Sequence, residues 1–449
     1  MSDWYGQEFE VRLGPPGHGG FCVGRHEGRV VFVRHGLPGE LVRARVTEDR
    51  GGSFCRADAV EIVEASADRV QATCPVSGPG GAGCCDFSFA TPAAQRALKS
   101  TVVAEQLRRL AGVEREVTVE PIGEDSGTGG WRTRIRLVVD AAGRAGVHRY
   151  RSTEVLADLR CPQPVAGALA GVADRRWTPG SDLVIAVDGD GVRHLVELAA
   201  VPDTVAPGGR PATPRGAGRG RSHRPSRRRE PGPRDERAAV RERAAARKSA
   251  TNAPREEWVM AGTGRAVEYV AGRRWELAAT GFWQAHHGAA QCYSNLVADW
   301  SGLAPGGCGW DLYSGVGVFA ARLAEQTGQT GSVAAVESAR AAVADGTAAT
   351  GDLPWLDLRT DRVERWVRNA SGTPDVVVLD PPRAGAGKEV IGAVADADPR
   401  RIVHIGCDPA SFARDLGLYL DAGYHLADLR AFDAFPATHH VECVALLDR

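Results

Sequence analysis

The last third of the chain constrains the fold most. Apolar, strand-like runs alternate there with amphipathic helical stretches. WDLYSG leads into VGVFAARLAEQ, SVAAVES leads into a second helix, and DVVVLDPP, RIVHIGC and VECVALLD follow. Strands alternating with helices bury both faces of a mainly parallel sheet, so an α/β, doubly wound domain is expected, with a ligand crevice at the strand carboxyl ends. Just upstream, GFWQAHHGAAQCYSNLVADW reads as strand, turn and amphipathic helix.

The first two thirds read differently. Between residues 8 and 64, FEVRL, GFCVGRH, RVVFVRH, ELVRARVTE and FCRADAVEIVE are five short strands separated by glycine-rich turns, which predicts a small β-barrel. A cysteine-rich loop, CPVSGPGGAGCC, occupies 74–85. A helix is expected from Thr91 to about Leu110, with Thr91 as N-cap and Pro92 in the first turn. Strands follow in WRTRIRLVVD and AGVHRYRS, near Leu183 to Val187, near Leu195 to Leu198, and in VEYVAG and RRWELAAT. Arg132, Arg134 and Arg136 recur at period two, either as phosphate or cluster-side contacts or as an exposed strand face. Trp131 beside them suits base stacking or a core. Three units result: a barrel over 1–64, a central mostly-β unit over 65–280, and an α/β domain over 281–449.

Charge is segregated. Residues 205–250 hold fourteen Arg or Lys against four Asp or Glu, and the rest holds 41 against 52. That segment has almost no aliphatic residues, so 202–250 is expected to be a disordered Arg-rich insertion, either a solvated linker or a nonspecific RNA contact. No run approaches the ~20 apolar residues that span a bilayer. The first residues, MSDWYGQEFE, lack a signal-peptide apolar core. A cytoplasmic location follows as the expectation, with the ten cysteines as thiols, metal ligands or catalysts.

The strand ends carry chemistry. Gly315 and Gly317, after the first α/β strand, let a ligand approach backbone closely. Glu337 ends the next strand, where an acid can accept hydrogen bonds from ribose hydroxyls. No Lys follows the glycines, so a nucleoside suits the turn better than a triphosphate. Asp380 stands on a loop stiffened by Pro381 and Pro382. Cys407 ends one strand and Glu442 begins the last. A thiolate and a carboxylate on one rim suit C5 of uracil. Sulfur adds to C6, C5 becomes carbanion-like and accepts a methyl group, and a base removes the C5 proton so that sulfur can leave.

GFWQAHHGAA, DLYSGVGVF, VLDPPRAGAG, HIGCDPASFARDL and HHVECVALL resemble, in order, the motifs of the RNA uracil-5 methyltransferase family. The resemblance covers the chain outside the Arg-rich insertion and implies a TRAM barrel, a central RNA-binding unit and a Rossmann-like methyltransferase domain using S-adenosylmethionine. Carried onto this sequence, Cys407 is the nucleophile and Glu442 the base. Gln284 of the FxQ motif lies at cofactor and base. Tyr313, Gly315, Glu337 and Asp380 are cofactor positions, with Asp361 near the adenine. Tyr313-Ser314 departs from the usual Cys or Phe-Cys. The resemblance also implies a [4Fe-4S] cluster on the cysteine loop. Cys74, Cys85 and Cys161 match three ligands, Ala82 stands where a fourth is expected, and Cys84 is the substitute. A cluster-free loop is the other reading. The implied partner is RNA, 23S rRNA ahead of a tRNA T-loop, with neither membrane nor DNA. A non-catalytic RNA-binding or assembly factor, and a methyltransferase for a small molecule or another base, remain the rival readings.

Overall fold

The computed structural model describes residues 3–123, 127–201 and 255–449. The insertion expected to be disordered, 202–250, lies outside the described residues. The architecture is α/β.

Six strands build the N-terminal sheet: β1 (Glu8–Arg12), β2 (Pro16–Gly17), β3 (Phe21–His26), β4 (Arg29–Arg34), β5 (Leu41–Asp49) and β6 (Phe54–Glu64), in the order β1-β5-β6-β4-β3-β2. It closes where Gly14 N donates to Val23 O (2.8 Å) and Val23 N to Pro15 O (3.0 Å). Gly24 is required at this seam, since a Cβ there would meet a Val11 methyl at 2.6 Å. Alternation turns Val11, Val31, Val33, Val42 and Ala44 inward.

Helix α1 (Pro92–Gln106) starts as expected: the Thr91 hydroxyl accepts from Ala94 N, and Pro92 occupies the first turn. It continues as a π-helical turn, Leu107–Ala111, and stops at Gly112 with φ +66°. Strand β7 (Val119–Pro121) follows. The sequence puts these elements in the central unit. In the structure Val103, Leu107 and Val119 share one core with Ile402 and Ala431 of the C-terminal sheet and with Leu416 of the helix Pro409–Asp421 that packs on it.

The central sheet contains β8 (Arg134–Val139), β9 (Ala145–His148), β10 (Val155–Leu156), β11 (Asp182–Val187), β12 (Arg193–Leu198) and β13 (Glu257–Ala261), ordered β10-β9-β8-β11-β12-β13. A hairpin of β14 (Arg265–Val270) and β15 (Arg273–Ala278) stands apart from it. The expected arginine face is not a free phosphate contact. Arg134 is buried against Glu268 of the hairpin, Arg136 pairs with Asp182, and Arg132 donates to Gln163 and to Arg134 O. Buried or paired guanidinium groups satisfy local carboxylates first. Trp131 is a core residue, fully buried.

The C-terminal part contains α2 (Ala289–Ser301), β16 (Cys308–Leu312), α3 (Val318–Thr327), β17 (Ser332–Glu337), α4 (Arg340–Ala349), β18 (Leu356–Thr360), α5 (Val363–Val367), β19 (Val376–Leu379), α6 (Gly387–Asp396), β20 (Arg401–Gly406), α7 (Pro409–Asp421), β21 (His425–Asp433) and β22 (Glu442–Asp448). Residues 281–285, expected as a strand, form none. Thr133 N donates to Ala285 O and His287 N to Trp131 O, which pins them as a loop. The sheet order is β18-β17-β16-β19-β20-β22-β21-β7. The chain moves outward from β16 to β18, then crosses back to β19, creating a switch point beside β16. Strands β16 to β20 are parallel, whereas β22 is antiparallel to β20. The start of β22 therefore lies on the same rim as the ends of the parallel strands.

Candidate active site

A cleft of about 1330 Å³ opens over that rim. Tyr313 follows β16, Glu337 ends β17, Asp380 follows β19, Cys407 follows β20 and Glu442 opens β22; all five line the cleft, as do Gln284 and Gly315. Gly406 pairs with Cys443, so Cys407 falls one step further along, opposite Glu442. A stretch of 158 positions separates Gln284 from Glu442, yet the sheet and the pinned loop bring them together.

Backbone geometry prepares the first turn. Gly315 and Gly317 hold φ +57° and +83°, and Tyr313 itself has φ +65°, an uncommon region for a side chain with a Cβ. One Glu337 oxygen accepts from Gly315 N (3.2 Å) and the other from Ala339 N (2.7 Å). The carboxylate is thus aimed beside the glycine turn and keeps lone pairs for hydroxyl donors. Asp361 differs from its expectation. It does not line the cleft, because its carboxylate turns back to Arg362 N and the Arg365 guanidinium, while Arg362 and Glu364 reach the wall.

The reacting end is acidic and dry. Asp380 is pushed up to about 7 by burial. Burial, then the facing Asp380, raises Glu442 well above the usual carboxylate range; its Oε1 has no hydrogen-bond partner. Burial, then Glu442 and Asp380, pushes the Cys407 thiol up to about 12. Arg383 is the cation that opposes these effects at both Cys407 and Glu442. Gln284 Nε2 lies 3.4 Å from Asp380 Oδ2, within donating distance. Sequence reasoning did not single out Arg383, although it stands inside the quoted LDPPRAG, nor Phe282, which lines the cleft and is 74% exposed. Asp408 caps α7 through Ser411 N (2.9 Å) and thereby fixes the turn carrying Cys407.

A second constellation lies in the cysteine loop. The Cys85 thiol is within hydrogen-bonding reach of Cys74, Cys84 and Cys161. Gln163 Nε2 donates to Cys85 Sγ (3.3 Å), and Arg132 donates to Gln163 Oε1 (3.0 Å). Among the described residues no group of three or more His, Cys, Asp or Glu is arranged around a single metal ion; these thiols instead contact one another.

Comparisons with known proteins agree with this geometry. A TRAM domain model matches residues 5–60, and a tRNA (Uracil-5-)-methyltransferase model matches residues 367–449. An RNA methyltransferase of Streptomyces avermitilis, itself uncharacterized, is 41% identical over 99% of this chain and 98% of its own length. The 23S rRNA (uracil(1939)-C(5))-methyltransferase RlmD of Alkalilimnicola ehrlichii is 30% identical over 99% of this chain and 97% of its own. The crystal structure of Pyrococcus abyssi tRNA (uracil-54, C5)-methyltransferase with S-adenosyl-L-homocysteine superposes with a TM-score of 0.64, at 19% identity, over 97% of this chain and 100% of that one. That last likeness is one of fold. With a uracil-C5 methyltransferase among its full-length relatives, and a cleft framed by strand ends, the chain belongs to the S-adenosylmethionine-dependent RNA (uracil-5-)-methyltransferase family.

Proposed function

We propose that this protein methylates C5 of a uridine in 23S rRNA, with Cys407 as nucleophile and Glu442 as base. The observation that carries this reading is the placement of Cys407 opposite Glu442 on the rim of the cleft that Glu337 and Gly315 also line. The cleft suits a nucleoside-bearing methyl donor: Glu337 would accept from ribose hydroxyls, Gly315 would allow close approach, and Tyr313, Asp380 and Gln284 line the cleft beside them. S-adenosylmethionine, when bound, supplies an electrophilic methyl group. The Cys407 sulfur bonds to C6 of a uracil flipped out of its stack, and the C5=C6 electron pair moves toward C5 and O4. After C5 has gained the methyl group, Glu442 takes the C5 proton, the C5=C6 bond re-forms and the sulfur leaves with its electron pair. The high proton affinity that burial confers makes Glu442 a strong base once ionised. Arg383 favours the ionised form of both groups.

The choice of 23S rRNA rests on the full-length similarity to the RlmD relative. The rival substrate, a tRNA T-loop, is separated by mapping 5-methyluridine by mass spectrometry in both RNAs from a deletion strain. Loss from rRNA alone is expected; loss from tRNA alone overturns the assignment. Cys407→Ala should abolish methylation and covalent capture of 5-fluorouridine RNA, and retained methylation would remove Cys407 from its role.

Cys85 and the three thiols around it suit the ligand set of a [4Fe-4S] cluster, with Cys84 in place of the ligand missing at Ala82. We infer that Cys74, Cys84, Cys85 and Cys161 hold one. Gln163 and Arg132 would then hydrogen-bond and balance the sulfur charge. Iron and sulfide analysis after anaerobic purification tests this; absence of both excludes the cluster. The domain division, a barrel over 1–64, a central unit over 65–280 and a methyltransferase domain over 281–449, is likewise our reading, with 92–121 packed onto the last. We place the protein in the cytoplasm with its RNA substrate; among the described residues no helix is long and apolar enough to cross a membrane.

A further inference from the structure

The residue after the cysteine loop makes contacts that the reaction scheme does not use. Asp86 follows Cys85 and is 3% exposed. Its Oδ1 accepts from Arg34 on barrel strand β4. Its Oδ2 accepts from His439 Nδ1 at 2.6 Å. The backbone repeats the connection: Phe87 N donates to Ala437 O (2.9 Å), and Ala437 N donates to Gln95 Oε1 (2.7 Å). The same Gln95 amide donates to Phe87 O (3.1 Å) and Ala90 O (2.9 Å), so its orientation is set. Gly20 of the barrel packs at this point as well; a Cβ on it would meet His439 Cβ at 3.3 Å and Asp86 Cβ at 3.4 Å.

These contacts converge on the loop that enters β22. Ala437 has φ +65°, a backbone state costing an L-residue about 1 kcal/mol or more, which surrounding bonds must hold. His439 lies three residues before Glu442. On the cleft side, Arg383 Nη2 approaches His440 Nε2 at 3.4 Å. One face of the loop is thus held by residues 86–95 and the barrel, while its other face meets the reacting site. Cys407 is secured by contacts that do not include Asp86: the Asp408 cap of α7, whose other carboxylate oxygen lies 2.9 Å from His18 Nε2 of the barrel.

We propose that Asp86 is a positioning residue for the Glu442 carboxylate, acting through His439, and that it makes the N-terminal barrel and the cysteine loop part of the base's alignment. This rests on the assignment of Cys407 and Glu442 above. Because nucleophile and base are held by different contacts, loss of Asp86 falls on proton abstraction more than on sulfur addition. Methyl transfer then proceeds while release slows, and the covalent, already methylated protein–RNA species accumulates.

The experiment uses the full-length protein, S-adenosylmethionine and a transcript of 23S rRNA or of tRNA, whichever the unaltered protein methylates. Covalent protein–RNA is counted on denaturing gels beside turnover, the RNA dissociation constant and the melting temperature. Asp86→Ala and His439→Ala should both accumulate adduct and lose turnover by roughly tenfold or more with RNA affinity unchanged. Asp86→Asn and His439→Gln, which each keep a hydrogen bond, should recover part of the turnover. If Asp86→Ala does not fold, His439→Ala carries the test, since its side chain is only 25% exposed but stands at the edge of the contact. Turnover and adduct levels equal to those of the unaltered protein overturn the proposal, and so does loss of both together with weakened RNA binding. Glu442→Gln separates the two levels. Adduct with Glu442→Gln but not with the Asp86 or His439 variants refutes this inference alone; no adduct with Glu442→Gln refutes the assignment beneath it.

Discussion

The protonation of Cys407 can be tested without any substrate. Burial and two facing carboxyl groups push its thiol from 9.0 up to about 12. At pH 7.5 an unperturbed thiol of that kind is about 3% thiolate, whereas one at about 12 is near 0.003%, roughly a thousandfold less. That difference corresponds to ~4 kcal/mol of disfavoured thiolate. Alkylation by iodoacetamide consumes the thiolate, so its rate at Cys407, followed by peptide mass spectrometry, should climb about tenfold per pH unit from 7 to 9.5 without levelling. Glu442→Gln removes one of the two facing carboxyl groups and should hasten alkylation wherever in that range the group is ionised. A plateau below pH 9 would refute the reasoning, for it would mean that the carboxyl groups and burial do not control the sulfur.

Arg383 opposes those carboxyl groups, so Arg383→Met should slow both alkylation and capture of 5-fluorouridine RNA, with partial recovery as pH rises; an unchanged pH profile counts against its role. Lys99 and Asp433 form a pair 0% and 4% exposed, and Lys99→Met should lower stability by about 3–5 kcal/mol in denaturant titration, because Asp433 is left buried without its cation. His35 and His286 are held near 4, and His404 and His440 near 3, chiefly by burial. Their folded values lie below the ordinary 6.5, so the unfolded chain binds more protons between those values. The histidine contribution to stability should therefore be full above about pH 6.5 and fall as pH drops toward 4, whereas the raised carboxyl groups Asp380 and Glu442 act in the opposite sense. The histidine part is read as the melting-temperature difference between the protein and His404→Phe, and a difference that stays constant across that window would contradict it.

Much of the site was legible because its residues sit at strand ends, and strand ends announce themselves locally. Glu337, Asp380 and Cys407 each follow an apolar run, and a parallel α/β sheet places such residues on one rim. The barrel was visible in its alternation, and the Thr91 cap in a two-residue signature. Arg134 and Arg136 misled because period two gives a common face but not what lies opposite it; Glu268, 134 residues away, claims Arg134, whereas Arg132 does stand beside the cysteine loop through Gln163. Asp361 misled in a related way: a carboxylate near the rim was drawn instead to its own helix.

Residue order alone determined the layered α/β class, the closed barrel and which thiol and carboxyl group are the candidates, Cys407 and Glu442, since periodicity and strand-end chemistry act over a few residues. Tertiary structure alone decided which distant groups meet. It put α1 and β7 on the C-terminal sheet, set Arg383 against Cys407, gathered three thiols around Cys85 and joined Asp86 to Arg34 and His439. Such pairings depend on the summed burial of whole elements and the closure of long loops, and no local run of side chains encodes them.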